Sequence, residues 1–163
     1  MSTRIEKLLK DYPKKVQDRD CLAHQLAHFK GLTAEEVIDS MYTPRQDGER
    51  VQTSNISDKT SQIAMVYQER RERLNREWYE QIEKELQAVN EEIVFLESAI
   101  DSLSGKLAAI MRDMVINRLS WNELAERHYV SRSMIAKYRK KAMKELESLC
   151  SKRDADTLRF MLG

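Results

Sequence analysis

From Tyr79 onward the apolar residues recur by threes and fours without a slip: Tyr79, Ile82, Leu86, Val89, Ile93, Leu96, Ile100 and Leu103. The same spacing continues through Leu107, Ile110 and Met114. This heptad pattern lines one face of a long helix beginning at Ser57, and such a stripe needs another helix to cover it, in a coiled coil or a helical hairpin. Ser104-Gly105 interrupts the helix formers and predicts a kink or a new cap before a leading helix, Lys106 to Asn117, that carries Leu107, Ile110, Met111 and Met114.

Beyond it, Ser120 and Glu123 form a capping box, and Leu124 and Ala125 point inward on a short helix. Val130 fills the space under the following turn. Ser131 caps a second helix in which Ile135, Tyr138, Ala142 and Leu146 recur at helical spacing. Two short helices, a tight turn and a small alanine at the crossing read as a helix-turn-helix. Tyr129 occupies the turn position that often carries glycine, and a positive φ there costs strain. After Cys150, the apolar Leu158, Phe160, Met161 and Leu162 predict a short docking helix.

Towards the N-terminus, Thr3 to Lys10 reads as a short amphipathic helix ending near Tyr12, because Pro13 disfavours helical geometry in the residue before it. A second helix then starts at Pro13 and runs to about Lys30 on Val16, Leu22, Leu26 and Phe29, with Gly31 as its stop. Thr33 and Glu36 form another capping box, opening a helix through Val37, Ile38 and Met41. Tyr42 to Ile56 is rich in turn formers. The expectation is an all-α chain with a helical N-terminal module (1–41), a linker or loop (42–56), a long arm (57–103), a helix-turn-helix domain (104–150) and a tail (151–163).

Composition agrees with long exposed helices, since 34% of the 163 residues are charged and only six are Gly or Pro. Net charge is +1, but Ser131 to Lys144 holds six basic residues (Arg132, Lys137, Arg139, Lys140, Lys141, Lys144) and no acidic one. The rest of the chain therefore sums to −5. Positive charge gathered on one helix is what phosphate binding requires, whereas the Glu-rich flanks of the long arm repel phosphates. An amphipathic hairpin with a solvated basic face is the plainer reading of the same run.

Catalytic signatures are missing: the chain has no glycine-rich phosphate loop, no H-E-x-x-H and no nucleophile elbow, so an enzyme is not expected. Cys21, His24 and His28 share one helical face at metal-ligand types, but a fourth ligand is lacking, and neither a metal nor another cofactor is expected. The two cysteines form no CxxC, and no apolar run reaches signal-peptide or membrane-span length, which points to a reducing, cytoplasmic setting. Trp78 reads as a packing residue. Trp121 is placed to cover the junction before the first short helix, or to lie against a DNA backbone.

At S-W-N-E-L-A-E-R followed by V-S-R-S-M-I-A-K-Y-R-K-K-A the chain resembles region 4 of the sigma-70 family. It is more similar still to the sigma-like late-gene activators encoded by phages of Gram-positive bacteria, the ArpU and RinA types, through YPK, HFKGLTAEEVI, GERVQTSNISDKT and ESAIDSLSGKLAAIMRDMVINRLSW. The resemblance covers about residues 12 to 149. It implies binding of double-stranded DNA upstream of phage genes and activation of transcription with host RNA polymerase. It also implies base or groove contacts by Ser131, Arg132, Ser133, Lys137 and Lys140, with Arg139, Lys141 and Lys144 toward phosphates. Arg132 is the expected guanine reader, since its fork meets O6 and N7 together. Nothing corresponds to the promoter-melting sigma domains. Two other functions fit the same layout: a small-terminase-like DNA-packaging subunit, and a helical adaptor or homo-oligomer working through residues 79–103.

Overall fold

The structure, a computed structural model, describes residues 3–33, 35–37 and 56–163. It is all-α, with no strand among the described residues. Among the described residues five longer helices follow one another: α1 (Arg4–Ala27), α2 (Ile56–Asp101), α3 (Lys106–Val115), α4 (Trp121–His128) and α5 (Arg132–Leu162). Residues 35–37 are helical as well.

Two compact units make up the chain, and they do not follow chain order. The first takes residues 1–20 and 88–163, the second residues 21–87.

In the first unit the second half of α2 buries Ile93, Leu96, Ile100 and Leu103 in one cluster with Ile5 and Tyr12 of α1, Leu107 and Met111 of α3, and Ala142 and Leu146 of α5. The heptad stripe is thus covered inside the chain over this stretch. Each of the cluster's isoleucine, leucine and methionine side chains contributes about 1.5–3 kcal/mol when fully buried. Upstream on α2 the cover is uneven: Ile82 is buried, Leu86 and Val89 are half-buried and Tyr79 is exposed.

α1 corrects the expected break at Pro13. It runs unbroken from Arg4 to Ala27 with Pro13 inside it. A proline there removes one backbone donor and crowds the carbonyl four residues back. Tertiary contacts outweigh that loss. Ile5 and Tyr12 are buried and Leu8, Leu9 and Val16 pack beside them, so residues on both sides of Pro13 share one helical face. The Tyr12 hydroxyl donates to Glu97 Oε1 at 2.6 Å, Lys15 pairs with Glu92, and Arg4 pairs with Asp154.

α5 corrects the tail. A separate docking helix after Cys150 does not form, because no Gly or Pro lies between Ser131 and Leu162 and the helix simply continues to Leu162. Its last residues, Leu158, Phe160, Met161 and Leu162, are exposed. Farther back, Arg153 lies over the Phe95 ring, 4.0 Å from its centroid.

At Ser104-Gly105 the chain makes a true break: α2 ends at Asp101, Gly105 has φ 58°, and the Ser104 hydroxyl donates to Glu145 Oε1 at 2.8 Å.

Within the second unit, α1 ends at Ala27 and Gly31 turns the chain with φ 72°. A Cβ on Gly31 would stand 2.7 Å from the Asn75 side chain, which accepts from Leu32 N–H at 2.6 Å. Phe29 packs edge-on against Trp78 and Tyr79, so Trp78 is a packing residue as expected, though half of it stays exposed. The Thr33/Glu36 capping box forms in both directions, at 2.9 and 3.2 Å. Ile38, Met41 and residues 42–55 of the expected linker lie outside the described residues. No helix among the described residues is long and apolar enough to cross a membrane.

Candidate nucleic-acid interface

Three helices of the first unit meet around three side chains, one from each. Ile110 of α3, Leu124 of α4 and Ile135 of α5 are all fully buried, with Met114, Leu119, Val130 and Tyr138 packed around them. This is the helix-turn-helix core that the spacing predicts, with α3 as its cover. Ala125 is half-buried behind Leu124.

Capping fixes where each helix begins. Ser120 Oγ accepts from Glu123 N–H at 3.2 Å, and Ser131 Oγ accepts from Met134 N–H at 3.3 Å. α4 stops because Tyr129 enters the left-handed region, φ 55° and ψ 42°. Val130 N–H then donates to Ala125 O and Tyr129 N–H to Glu126 O, the paired bonds of a Schellman end.

The phase of α5 decides which residues face outward. Ile135, Ala142 and Leu146 are fully buried, and at about 100° per residue Ser133, Lys137, Lys140 and Lys144 fall on the opposite side. All four are exposed, as are Ser131, Arg132 and Lys141. Arg139 departs from this set. It lies about 40° from Ile135, is half-buried, and borders a groove of about 1040 Å³ with Leu9, Met111, Met114, Arg118 and Leu119. Its guanidinium therefore flanks the core, not the outer stripe. Ser131 differs too: its hydroxyl is engaged as the cap and lies 3.0 Å from Ser133 Oγ. Trp121, the first residue of α4, keeps about a third of its surface exposed.

One charged residue is buried on the apolar face of α3. Asp113 of α3 keeps only 6% of its surface, and three donors surround its carboxylate. Asn117 Nδ2 donates to Oδ1 at 2.7 Å, His128 Nε2 stands 2.8 Å from Oδ2, and Arg127 Nε lies 3.3 Å away. Burial alone would raise this carboxyl, but the bonds from Asn117 and His128 and the charge of Arg127 outweigh it and hold it below its ordinary value. The group is therefore an ionised acceptor, which places the proton of His128 on Nε2. Asp113 O also accepts from Leu119 N–H at 3.0 Å. α3 is thus tied to the far end of α4, which sets the angle at which α5 leaves the turn. The signal was present in the sequence, since Asp113 sits between Ile110 and Met114 on the apolar face with Asn117 one turn on.

Cys21, His24 and His28 are exposed, with the two imidazole centroids 4.3 Å apart and the rings tilted at 49°. No group of three His, Cys, Asp or Glu side chains among the described residues could hold a metal ion. Searches for relatives leave the geometry to speak for itself: no protein-family model, no curated protein and no solved structure matches this chain.

Proposed function

We propose that this chain is a sequence-specific DNA-binding transcriptional regulator that places the start of α5 in the major groove. The observation that carries the reading is the phase of α5. Ile135, Ala142 and Leu146 are buried to the last atom while Arg132, Ser133, Lys137, Lys140 and Lys144 stand exposed with no acidic residue among them. A helix with its first turns free, capped by a serine and braced by two shorter helices, is the form in which side chains reach base edges. Arg132 is assigned to guanine, Lys137 and Lys140 to the groove, and Lys141 and Lys144 to phosphates. The resemblance to phage late-gene activators supports action upstream of a phage operon together with host RNA polymerase.

The test is genomic mapping of the tagged protein in its host, followed by titration of the recovered site at fixed salt. A peak upstream of a phage operon is expected, and Arg132→Ala should weaken binding about 5- to 100-fold with helicity unchanged. Arg132→Ala binding as tightly as wild type would remove the assignment. Peaks at a packaging-initiation site, with a ring-sized assembly by light scattering, would identify a DNA-packaging subunit instead. A lack of peaks would direct attention to α2 and a protein partner.

A further inference from the structure

Only two non-glycine residues among the described ones have positive φ, Arg118 at 56° and Tyr129 at 55°. Left-handed backbone costs an L-residue about 1–2 kcal/mol, which glycine avoids. Arg118 has neighbours in the groove it shares with Leu119 and Arg139. Tyr129 has none of that kind. Its surface is 94% exposed, and among the described residues no hydrogen bond or ring contact engages its side chain. A large aromatic ring thus sits where the backbone favours glycine, and no packing offsets the strain. The paired bonds that end α4 account for the left-handed backbone but not for an aromatic ring there, since glycine would serve the same end, and strained residues of this kind cluster at functional sites.

The surroundings say which function. Tyr129 stands two residues before the cap Ser131, so its Cα lies within about 11 Å of that of Arg132. It shares the free end of α5 with the Ser131–Ser133 hydroxyl pair and Arg132. Its phenol is a neutral donor on a rigid stem. We infer that Tyr129 is itself a DNA-contacting residue, its hydroxyl donating to a phosphate oxygen on the strand that borders the groove entered by α5. The inference rests on the DNA-binding reading above and adds a contact outside the basic face.

The test uses the full chain and a fluorescein-labelled duplex recovered from a randomised pool by the wild-type protein. Tyr129→Gly relieves the backbone, so its thermal midpoint should rise while its affinity falls about 3- to 10-fold. Tyr129→Asn keeps a residue tolerant of the left-handed region and should lose affinity alike. Tyr129→Phe, which removes only the hydroxyl, should lose nearly as much without a change in midpoint. The salt dependence of binding separates contact from distortion. A neutral donor leaves the slope of log K against log salt unchanged, whereas Lys140→Ala should lower it by about one. Full affinity in Tyr129→Gly overturns the inference, and so does full affinity in Tyr129→Phe or an altered slope in either. If the wild-type protein retains no duplex at all, while remaining helical, the DNA-binding reading falls and this contact falls with it.

Discussion

Removing the Asp113 carboxylate should loosen the helix-turn-helix more than any single change on its surface. The side chain is nine-tenths buried and receives bonds from Asn117 and His128 at 2.7 and 2.8 Å. Hydrogen bonds to a charged group contribute about 1.5–3 kcal/mol each. Arg127 is 61% exposed, so its pairing with Asp113 adds little. Asp113→Ala should therefore cost about 3–5 kcal/mol, partly because His128, only 16% exposed, is left without its acceptor. In a chain of this length that corresponds to a fall of about 6–20 °C in thermal midpoint by far-ultraviolet circular dichroism. The pH dependence provides a second reading. Because the folded carboxyl lies below its ordinary 3.8, its contribution is complete above about pH 4 and is lost as pH falls through the folded value. Asp113→Asn should then be destabilised at pH 7 and show a flatter decline below pH 4 than wild type. A midpoint within about 2 °C of wild type, or an acid limb identical in Asp113→Asn, would refute the reasoning.

Two further outcomes concern α1. Pro13→Ala restores a backbone donor within a continuous helix, and an interior proline costs about 3 kcal/mol relative to alanine; the thermal midpoint should rise by several degrees, and a fall would mean that the ring's own packing outweighs the missing bond. Tyr12→Phe removes the hydroxyl that donates to Glu97 and should cost about 1 kcal/mol. Burial, the Glu97 bond and the Glu97 charge push the Tyr12 phenol up to about 12. The stability it contributes is present below pH 10 and is lost as pH rises from 10 through 12, so wild type should weaken over that range in alkaline titrations and Tyr12→Phe should do so less.

Elements whose information is local were legible in the sequence. The starts of α4 and α5 follow from Ser120 and Ser131, whose hydroxyls cap within three residues, and the buried phase of α5 follows from Ile135, Ala142 and Leu146. The heptad stripe of α2 announced a covered helix. It did not say what covers it, because the same period serves a partner helix in the chain or in a second copy. Pairing of Ile93 to Leu103 with α1, α3 and α5 depends on residues up to about a hundred positions distant.

Where the structure departs from local signals, the origin is the same. Pro13 is a local stop signal, and it was overruled by the burial of Ile5 on one side and Tyr12 next to it, neither of which a window of ten residues can weigh. Arg139 carries the same charge as Lys140, yet one residue of rotation, about 100°, turns it to the groove beside α3. Asp113 lies on an apolar face with one local donor, Asn117 a turn away, and the arrival of His128 and Arg127 from α4 supplies the others. Neighbours within two turns specify the caps of α4 and α5, the apolar phase of α2 and the charge of the outer face of α5. Tertiary structure decided which helices share a core, whether Pro13 breaks one, and which charges are buried, because burial is a property of segments that meet only when the chain has folded.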